Sequence, residues 1–305
     1  MIIYLGKNEE ITKEELSNLI KETKAQLLEL EKFGKNSEYI KELSNLALLQ
    51  IENSDFEQSE KNLLICLKHF KKQHDTLGQA AVYGLMGTLK YKTKSYLQSI
   101  EHYEKANEIY EDLNQKEEVI ACLKGIGKSL INLNRLDEAS DIYFKCSAIC
   151  SDNNDLYNLL DCLGNLIIIY EKLDEWEILY ELYQKSLKTF SEMKDQKGII
   201  VTNFNLGIIK KKHGEYEDAL YYFKSGTNIA IDSNFAEYIV KGLSYVAECL
   251  FYQGKMNDSK QQYLRALKLA RKVNMNNAIV QLRVLLNSLG LNDDEIEKEL
   301  NTLGD

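Results

Sequence analysis

The feature that most constrains this chain is that its pattern returns at every fortieth position, with no insertion or deletion breaking the register. The stretch Asn203 to Gly226, NFNLGIIKKKHGEYEDALYYFKSG, shows the unit. One apolar helical pattern runs around Leu206, Gly207 and Lys210, a second around Ala219, Phe223 and Gly226, and His213-Gly214-Glu215 separates them. Sliding the sequence by one such period aligns Ala47, Gly87, Gly127, Ile167, Gly207 and Ala247 in one column, and Ser59, Ser99, Ala139, Leu179, Ala219 and Ser259 in another. Large residues recur beside them, from Leu46 to Val246 in the first helix and from Leu63 to Tyr263 in the second. A fixed period of this length with two helices per unit predicts an all-α solenoid of antiparallel helix pairs, in which each unit packs on its neighbours. The small columns mark where the two helices of a pair pass close to each other.

The register sets the expected organisation: an N-terminal tail and capping helix over 1–39, six repeats over 40–279, and C-terminal capping helices over 280–305. Thr12 with Glu15 reads as a capping box opening the first helix, with Leu16, Leu19, Ile20, Leu27 and Leu30 on its buried face. At the other end, 277–288 reads as a further first helix, Gly290 as a break, and Asn292 with Glu295 as the start of an acidic last helix. Ile296 and Leu300 are its main apolar residues, which predicts loose docking. The chain has no proline, so Gly34, Asn53, Asn134, Gly214 and Gly254 are expected to end helices. Ser54 with Glu57, Asn134 with Asp137 and Asp174 with Glu177 read as side-chain caps of second helices. The fourth repeat departs from the rule, since Ile167 and Leu179 are large in both crossing columns; a wider helix pair is expected there.

Charge and composition exclude several classes. A net charge of −9 argues against a broad surface for nucleic-acid phosphates. The N-terminal MIIYLG is too short for a signal-peptide core and the longest apolar runs fall short of a membrane span, so a cytoplasmic protein is expected. Cys66, Cys122, Cys146, Cys150, Cys162 and Cys249 form no CxxC pair and read as small reduced core residues. Cys122, Cys146, Cys150 and Cys162 could approach one another, but no metal-ligand spacing is present and no metal or cofactor is expected. Gly125-Ile126-Gly127-Lys128-Ser129 ends like a phosphate-binding loop, yet Cys122 stands where that motif needs glycine and no strand precedes it. His69, His74, His102 and His213 are scattered over different repeats without a nucleophile in register, so no enzyme is expected.

The columns of YGLMG with SYLQSIEHYEKA (Tyr83 to Ala106) and of NFNLG with EYEDALYYFKSG resemble the tetratricopeptide repeat family, over roughly residues 40–279. The forty-residue unit and the missing proline are similar to its long-repeat branch, which includes kinesin light chains and peptide-sensing bacterial regulators. The resemblance implies a right-handed superhelix whose first helices line a concave groove for a peptide. By column, that groove would present Asn45 in the first repeat, Lys124 and Lys128 in the third, and Asn165 in the fourth. Phe204, Asn205, Ile208 and Lys211 would follow in the fifth, and Lys241, Ser244 and Tyr245 in the sixth. Asn45, Asn165 and Asn205 occupy the column where related adaptors hold a peptide backbone, a role that suits an amide because it both donates and accepts. Lys124, Lys128, Lys172, Lys211 and Lys212, set against Asp161 and Glu171, give this half of the groove a positive bias. An acidic segment or a C-terminal carboxylate is the ligand that follows; the same lysines fit a solvated helix face equally. The expected function is a non-enzymatic scaffold that binds a peptide segment of a partner protein. The alternative is the peptide-sensing domain of a signalling or transcription system.

Overall fold

Helices in this chain are ended by one backbone device that recurs twice in every repeat. From Gly34 to Asn274 a residue with φ between 53° and 90° stands at every twentieth position. At each such turn from Ser54 onward the chain closes a Schellman pattern, in which the N–H just past the left-handed residue reaches back to a carbonyl in the last turn of the helix. At Ser54, its own N–H donates to the Ile51 carbonyl (3.0 Å) and the next N–H, of Asp55, to the Gln50 carbonyl (2.8 Å). Gly214 and Glu215 repeat this on Lys211 and Lys210, both at 3.0 Å. The last carbonyls of one helix are thereby satisfied within a turn so short that the next helix must fold back.

The computed structural model describes residues 12–303; the MIIYLG segment lies outside the described residues. The helices are α1 (Lys13–Glu31), α2 (Ser37–Glu52), α3 (Phe56–Lys72), α4 (Thr76–Lys92), α5 (Tyr96–Asp112), α6 (Lys116–Asn132), α7 (Leu136–Asp152) and α8 (Leu156–Leu173). They continue as α9 (Trp176–Glu192), α10 (Gln196–Lys212), α11 (Tyr216–Asp232), α12 (Ala236–Tyr252), α13 (Met256–Lys272), α14 (Asn276–Ser288) and α15 (Asp293–Thr302). The architecture is all-α, of tetratricopeptide-repeat type, and the described residues contain no strand. Two compact units divide within α8, the first ending at Ile169 and the second starting at Tyr170. Ile167 belongs to the first and Leu179 to the second.

In the first unit α1 to α7 pack consecutively, and the first helices α2, α4 and α6 also touch side by side. Leu27 of α1 joins Ile40, Leu43, Leu63, Phe70, Met86 and Leu89 in one core cluster. In the second unit α9 to α14 pack consecutively, and α10 touches α12. Its inner core is built around Phe204, Phe223, Ala230 and Cys249.

The close crossings have a specific cause. A Cβ placed on Gly207 would lie 2.6 Å from the Phe223 ring, on Gly127 2.6 Å from Tyr143, and on Gly87 2.8 Å from Tyr103. Each glycine is thus a seat for an aromatic residue at a fixed place on the partner helix. The second small column adds a hydrogen bond: Ser59, Ser99 and Ser259 donate to the carbonyls of Ala47 (2.8 Å), Gly87 (2.8 Å) and Ala247 (2.7 Å). A buried hydroxyl is so satisfied at the contact it packs against. The GxGKS segment lies inside α6, where Gly125 and Gly127 seat Tyr103 and Tyr143.

Three sequence expectations are corrected. Ser54, Asn134 and Asp174 are the left-handed turn residues rather than side-chain caps. The N-cap positions fall one residue later, on Asp55, Arg135 and Glu175, and none makes a side-chain cap hydrogen bond. Side-chain caps occur instead between repeats, where Asp75 accepts from Gly78 N–H (2.8 Å) and Asp195 from Gly198 N–H (3.1 Å). Asn53 has φ of −79°, and the left-handed position beside it is Ser54. The buried face of α1 is narrower than expected, reduced to Thr23 and Leu27, while Leu16, Leu19, Ile20 and Leu30 are half-buried.

The last helix is firmly docked, against expectation. Ile296 and Leu300 are buried in a cluster with Leu264, Leu267, Leu282 and Leu286. Glu297 accepts from Arg271 (2.6 Å) and also pairs with Arg283. The Arg271 hydrogen bond holds the Glu297 carboxyl below its ordinary value of 4.5, with the charges of Arg271 and Arg283 adding to it. Two apolar anchors suffice because a forked ion pair fixes the helix between them.

These contacts can be checked one at a time. Gly207→Ala gains about 1 kcal/mol of helix propensity but forces a methyl into the Phe223 ring, so a net loss of about 1–2 kcal/mol is expected in chemical denaturation. Gly84→Ala, whose Cβ would enter open space, should stabilise the chain by about 0.5–1 kcal/mol. For the last helix, a depressed folded pKa means the Glu297 contribution is complete above the unfolded value and is lost as pH falls below about 4.5. Amide exchange at Ile296 and Leu300 should accelerate over that range, and the acceleration should be smaller in Glu297→Gln.

Candidate functional site: the first-helix face

The residues expected to line a groove stand on the first helices, and each compact unit carries its own part. In the first unit, Asn45 is half-buried and donates to Glu42 Oε2 at 3.0 Å. Asn165 donates to the Asp161 backbone carbonyl at 2.8 Å, so its amide hydrogens serve its own helix. Lys124 is half-buried and pairs with Asp161 Oδ2 (2.5 Å) while donating to Asn158 Oδ1 (2.8 Å). Burial lowers the Lys124 pKa, but the hydrogen bond and charge of Asp161 outweigh it, and the net shift is upward. Lys128, one turn further along α6, is exposed.

In the second unit, Lys211 pairs with Glu248 Oε2 at 2.8 Å. Ile208 is half-buried against the core cluster, and Asn205 is half-buried as well. Phe204 is not a groove residue: only 3% of its surface is exposed. Its ring fills the space against Gly226 and Gly242, edge-on to Tyr245 at 5.4 Å. Tyr245 is itself stacked on Phe223 at 4.9 Å, with part of its surface open. The expected positive bias is therefore smaller than the lysine count implies, because Lys124 and Lys211 each direct their charge to a carboxylate of the next first helix. Both pairs span one repeat less about one helical turn, and that spacing is the sequence signal that could have revealed them.

The second unit has a cleft of about 340 Å³ between α12 and α14. Val240, Met275 and Leu282 make its floor; Glu237, Lys241, Ser244 and Gln281 supply polar groups around it; Tyr245 and Leu285 complete the wall. The cleft is open because the column beside it carries a small residue, as Ser44, Gly84 and Gly164 do in other repeats. Phe204 plugs the space between α10 and α12, and the residue one period later is Ser244. The Ser244 hydroxyl donates back to the Val240 carbonyl (2.8 Å) and leaves the corresponding space open. Lys241 and Gln281 are exposed, and Leu285 keeps 39% of its surface in solvent. The residues contributed from the α14 side, namely Met275 just before it and then Gln281, Leu282 and Leu285, were not foreseen as site residues.

An apolar floor ringed by an ammonium, a carboxylate, an amide and a hydroxyl offers hydrophobic burial with a few directional contacts, which is the composition of a ligand-binding site. Among the described residues, the one set of three or more Cys, His, Asp or Glu close enough for a metal ion is Cys146, Cys150 and Cys162, in the first unit. No described helix is long and apolar enough to cross a membrane.

The fold defines a helical-repeat protein of tetratricopeptide type. No protein-family model and no curated protein matches the chain. Among solved structures the chain is similar to the apo form of RapI, at 16% identity over 85% of this chain and 99% of that one, with a TM-score of 0.52. It is similar to a signal transduction ATPase with a tetratricopeptide repeat sensor from Pyrococcus horikoshii, at 14% identity and a TM-score of 0.57. That match covers 94% of this chain and 44% of the ATPase, so this chain spans less than half its length. It is also similar to aspartyl phosphate phosphatase F from Bacillus subtilis, at 15% identity over 96% of this chain and 84% of that one, with a TM-score of 0.51. These likenesses establish the fold.

The ion pairs dictate which lysine can be used to probe the face. Lys124→Glu would set a new carboxylate against Asp161 and should cost about 1–2 kcal/mol of stability, between the values for exposed and buried pairs. Lys128→Glu, at an exposed position, should stay within about 0.5 kcal/mol of the parent in thermal or urea unfolding.

Proposed function

We propose that this chain is a non-enzymatic interaction module that binds a peptide segment of a partner protein along its first-helix face, anchored in the α12–α14 cleft. The observation that carries this reading is the exchange of Phe204 for Ser244 between successive repeats, which opens an apolar-floored cleft where the preceding repeat is filled. An apolar side chain of the peptide enters over Val240 and Leu282, and its backbone or an acidic neighbour meets Gln281 and Lys241. The preference for an acidic segment or a terminal carboxylate rests on exposed Lys241. Six free cysteines suit a reducing, cytoplasmic setting.

A peptide-sensing role is the second reading. It is favoured by the Pyrococcus ATPase, in which repeats of this fold are named as a sensor. On that reading the bound peptide is a free signal rather than part of a larger partner.

The test is selection of short peptides against the whole chain, followed by titration of the best binder into the parent and two variants. Ser244→Phe should abolish binding by placing a ring in the cleft, and Lys241→Glu should weaken an acidic peptide by about tenfold, equivalent to about 1.4 kcal/mol. Unchanged affinity in Ser244→Phe with the helical circular dichroism signal intact would remove the cleft from the proposal. A rise in melting temperature with free peptide supports the sensing reading.

A further inference from the structure

The interface between α7 and the first half of α8 carries a group of side chains that the peptide-binding reading does not use. Cys146 and Cys150 stand one helical turn apart on α7, Cys162 stands on α8, and the three sulfur atoms all lie within 4.8 Å of one another. All three are free thiols with no exposed surface.

Packing accounts for the size of these residues but not for their element. Across the repeats the Cys146 column holds Cys66, Ala106, Ser186, Gly226 and Ala266, so a small residue is all that position demands. The Cys162 column is similarly mixed, with Val82, Cys122, Thr202 and Gly242. The Cys150 column holds alanine at 230 and 270, but also Phe70 and Phe190, whose rings pack on Gly78 and Gly198 of the following helix. At this junction of the third and fourth repeats all three columns carry sulfur, and Asn158 stands where glycine would receive an aromatic ring.

A second observation concerns Tyr143. The equivalent hydroxyl of Tyr103 is hydrogen-bonded to Thr88 (2.9 Å), and that of Tyr183 donates to Glu171 (3.4 Å). Tyr143 is completely buried and its hydroxyl has no hydrogen-bond partner among the described residues. It lies within electrostatic reach of Asp161, Cys162 and Cys146. A buried polar atom left unpaired calls for an explanation. Lys124, held by Asp161 and Asn158, feels the same Cys162 and Cys146 thiols.

We infer that Cys146, Cys150 and Cys162 form a buried site for a thiophilic divalent cation of the zinc type. A three-sulfur set without a carboxylate ligand selects against magnesium and calcium and suits zinc, which takes four donors in a closed structural site. On binding, each thiol forms a metal–sulfur bond and gives up its proton, so three protons leave to solvent for each ion bound. Three thiolates and a dication carry one net negative charge. The site ties α7 to α8.

The experiment uses the full chain, reduced and refolded from denaturant in the presence of cadmium ion as an ultraviolet-active surrogate for zinc. One cadmium per chain, a cadmium–thiolate charge-transfer absorption and release of three protons per ion are expected. Cys150→Ala and Cys162→Ala should each lose at least tenfold in affinity, while Cys249→Ala, in the other unit, should bind like the parent. No absorption in the refolded parent chain, or the same stoichiometry and affinity in Cys162→Ala, would overturn the assignment. Proton release in the parent needs no variant to fold, and a value below two per ion would overturn it equally.

Discussion

The constraint on which the rest of this structure depends is the backbone closure that returns at every twentieth position. Every helix from α3 to α13 is 17 residues long except α8, which has 18. Equal helices joined by equal turns keep the side-chain columns in phase, and only phased columns let Gly87, Gly127 and Gly207 meet the same kind of partner ring in the second, third and fifth repeats. The left-handed turn residue is glycine where cost is lowest, but ten of these positions in the described residues hold another residue, including His74, Lys94 and Lys194. A non-glycine residue in that conformation costs about 1–2 kcal/mol, so the hydrogen bonds it completes and the packing of two flanking helices must outweigh the local preference.

That balance explains what was legible in the sequence. Periodicity, the close crossing at Gly207, both capping boxes and the run of helices can be read because they rest on residue size and spacing. The turn at Lys194 could not be read from propensity, since nothing in a lysine marks a left-handed position; its place half a repeat before Gly214 marks it. Misreading Ser54 and Asp174 as caps has the same origin. Serine and aspartate are favoured caps, and the closure displaces them one position out of that role.

The site was legible in column but not in depth. Phe204 and Ser244 share a column, and a reading by column gives them one role. Their neighbours separate them: Phe204 has Gly226 and Gly242 to receive its ring, so an aromatic side chain at a position facing the next first helix is drawn into the core. Lys124 and Lys211 were likewise read as free charges because their carboxylate partners lie in the next repeat. A half-buried ammonium without a counter-charge would have carried a desolvation cost, so the burial of these lysines and the presence of Asp161 and Glu248 are one fact.

A repeat protein of this kind places its chemistry in departures from its own pattern. The pattern is satisfied by small residues at crossings and rings in their seats, and it recurs whether or not a repeat does anything else. Where one position breaks the pattern and the helices still pack, the space or polarity released is available. Phe204 is the departure in its column: its ring closes the space between α10 and α12, and the space beside Ser244 one period later stays open, in a pocket lined by residues that are ordinary elsewhere, such as Val240 and Leu282. Cys150 releases volume and introduces sulfur where Phe70 and Phe190 fill their contacts. The two departures lie in different compact units and involve different helices, so each can be changed without touching the residues that build the other.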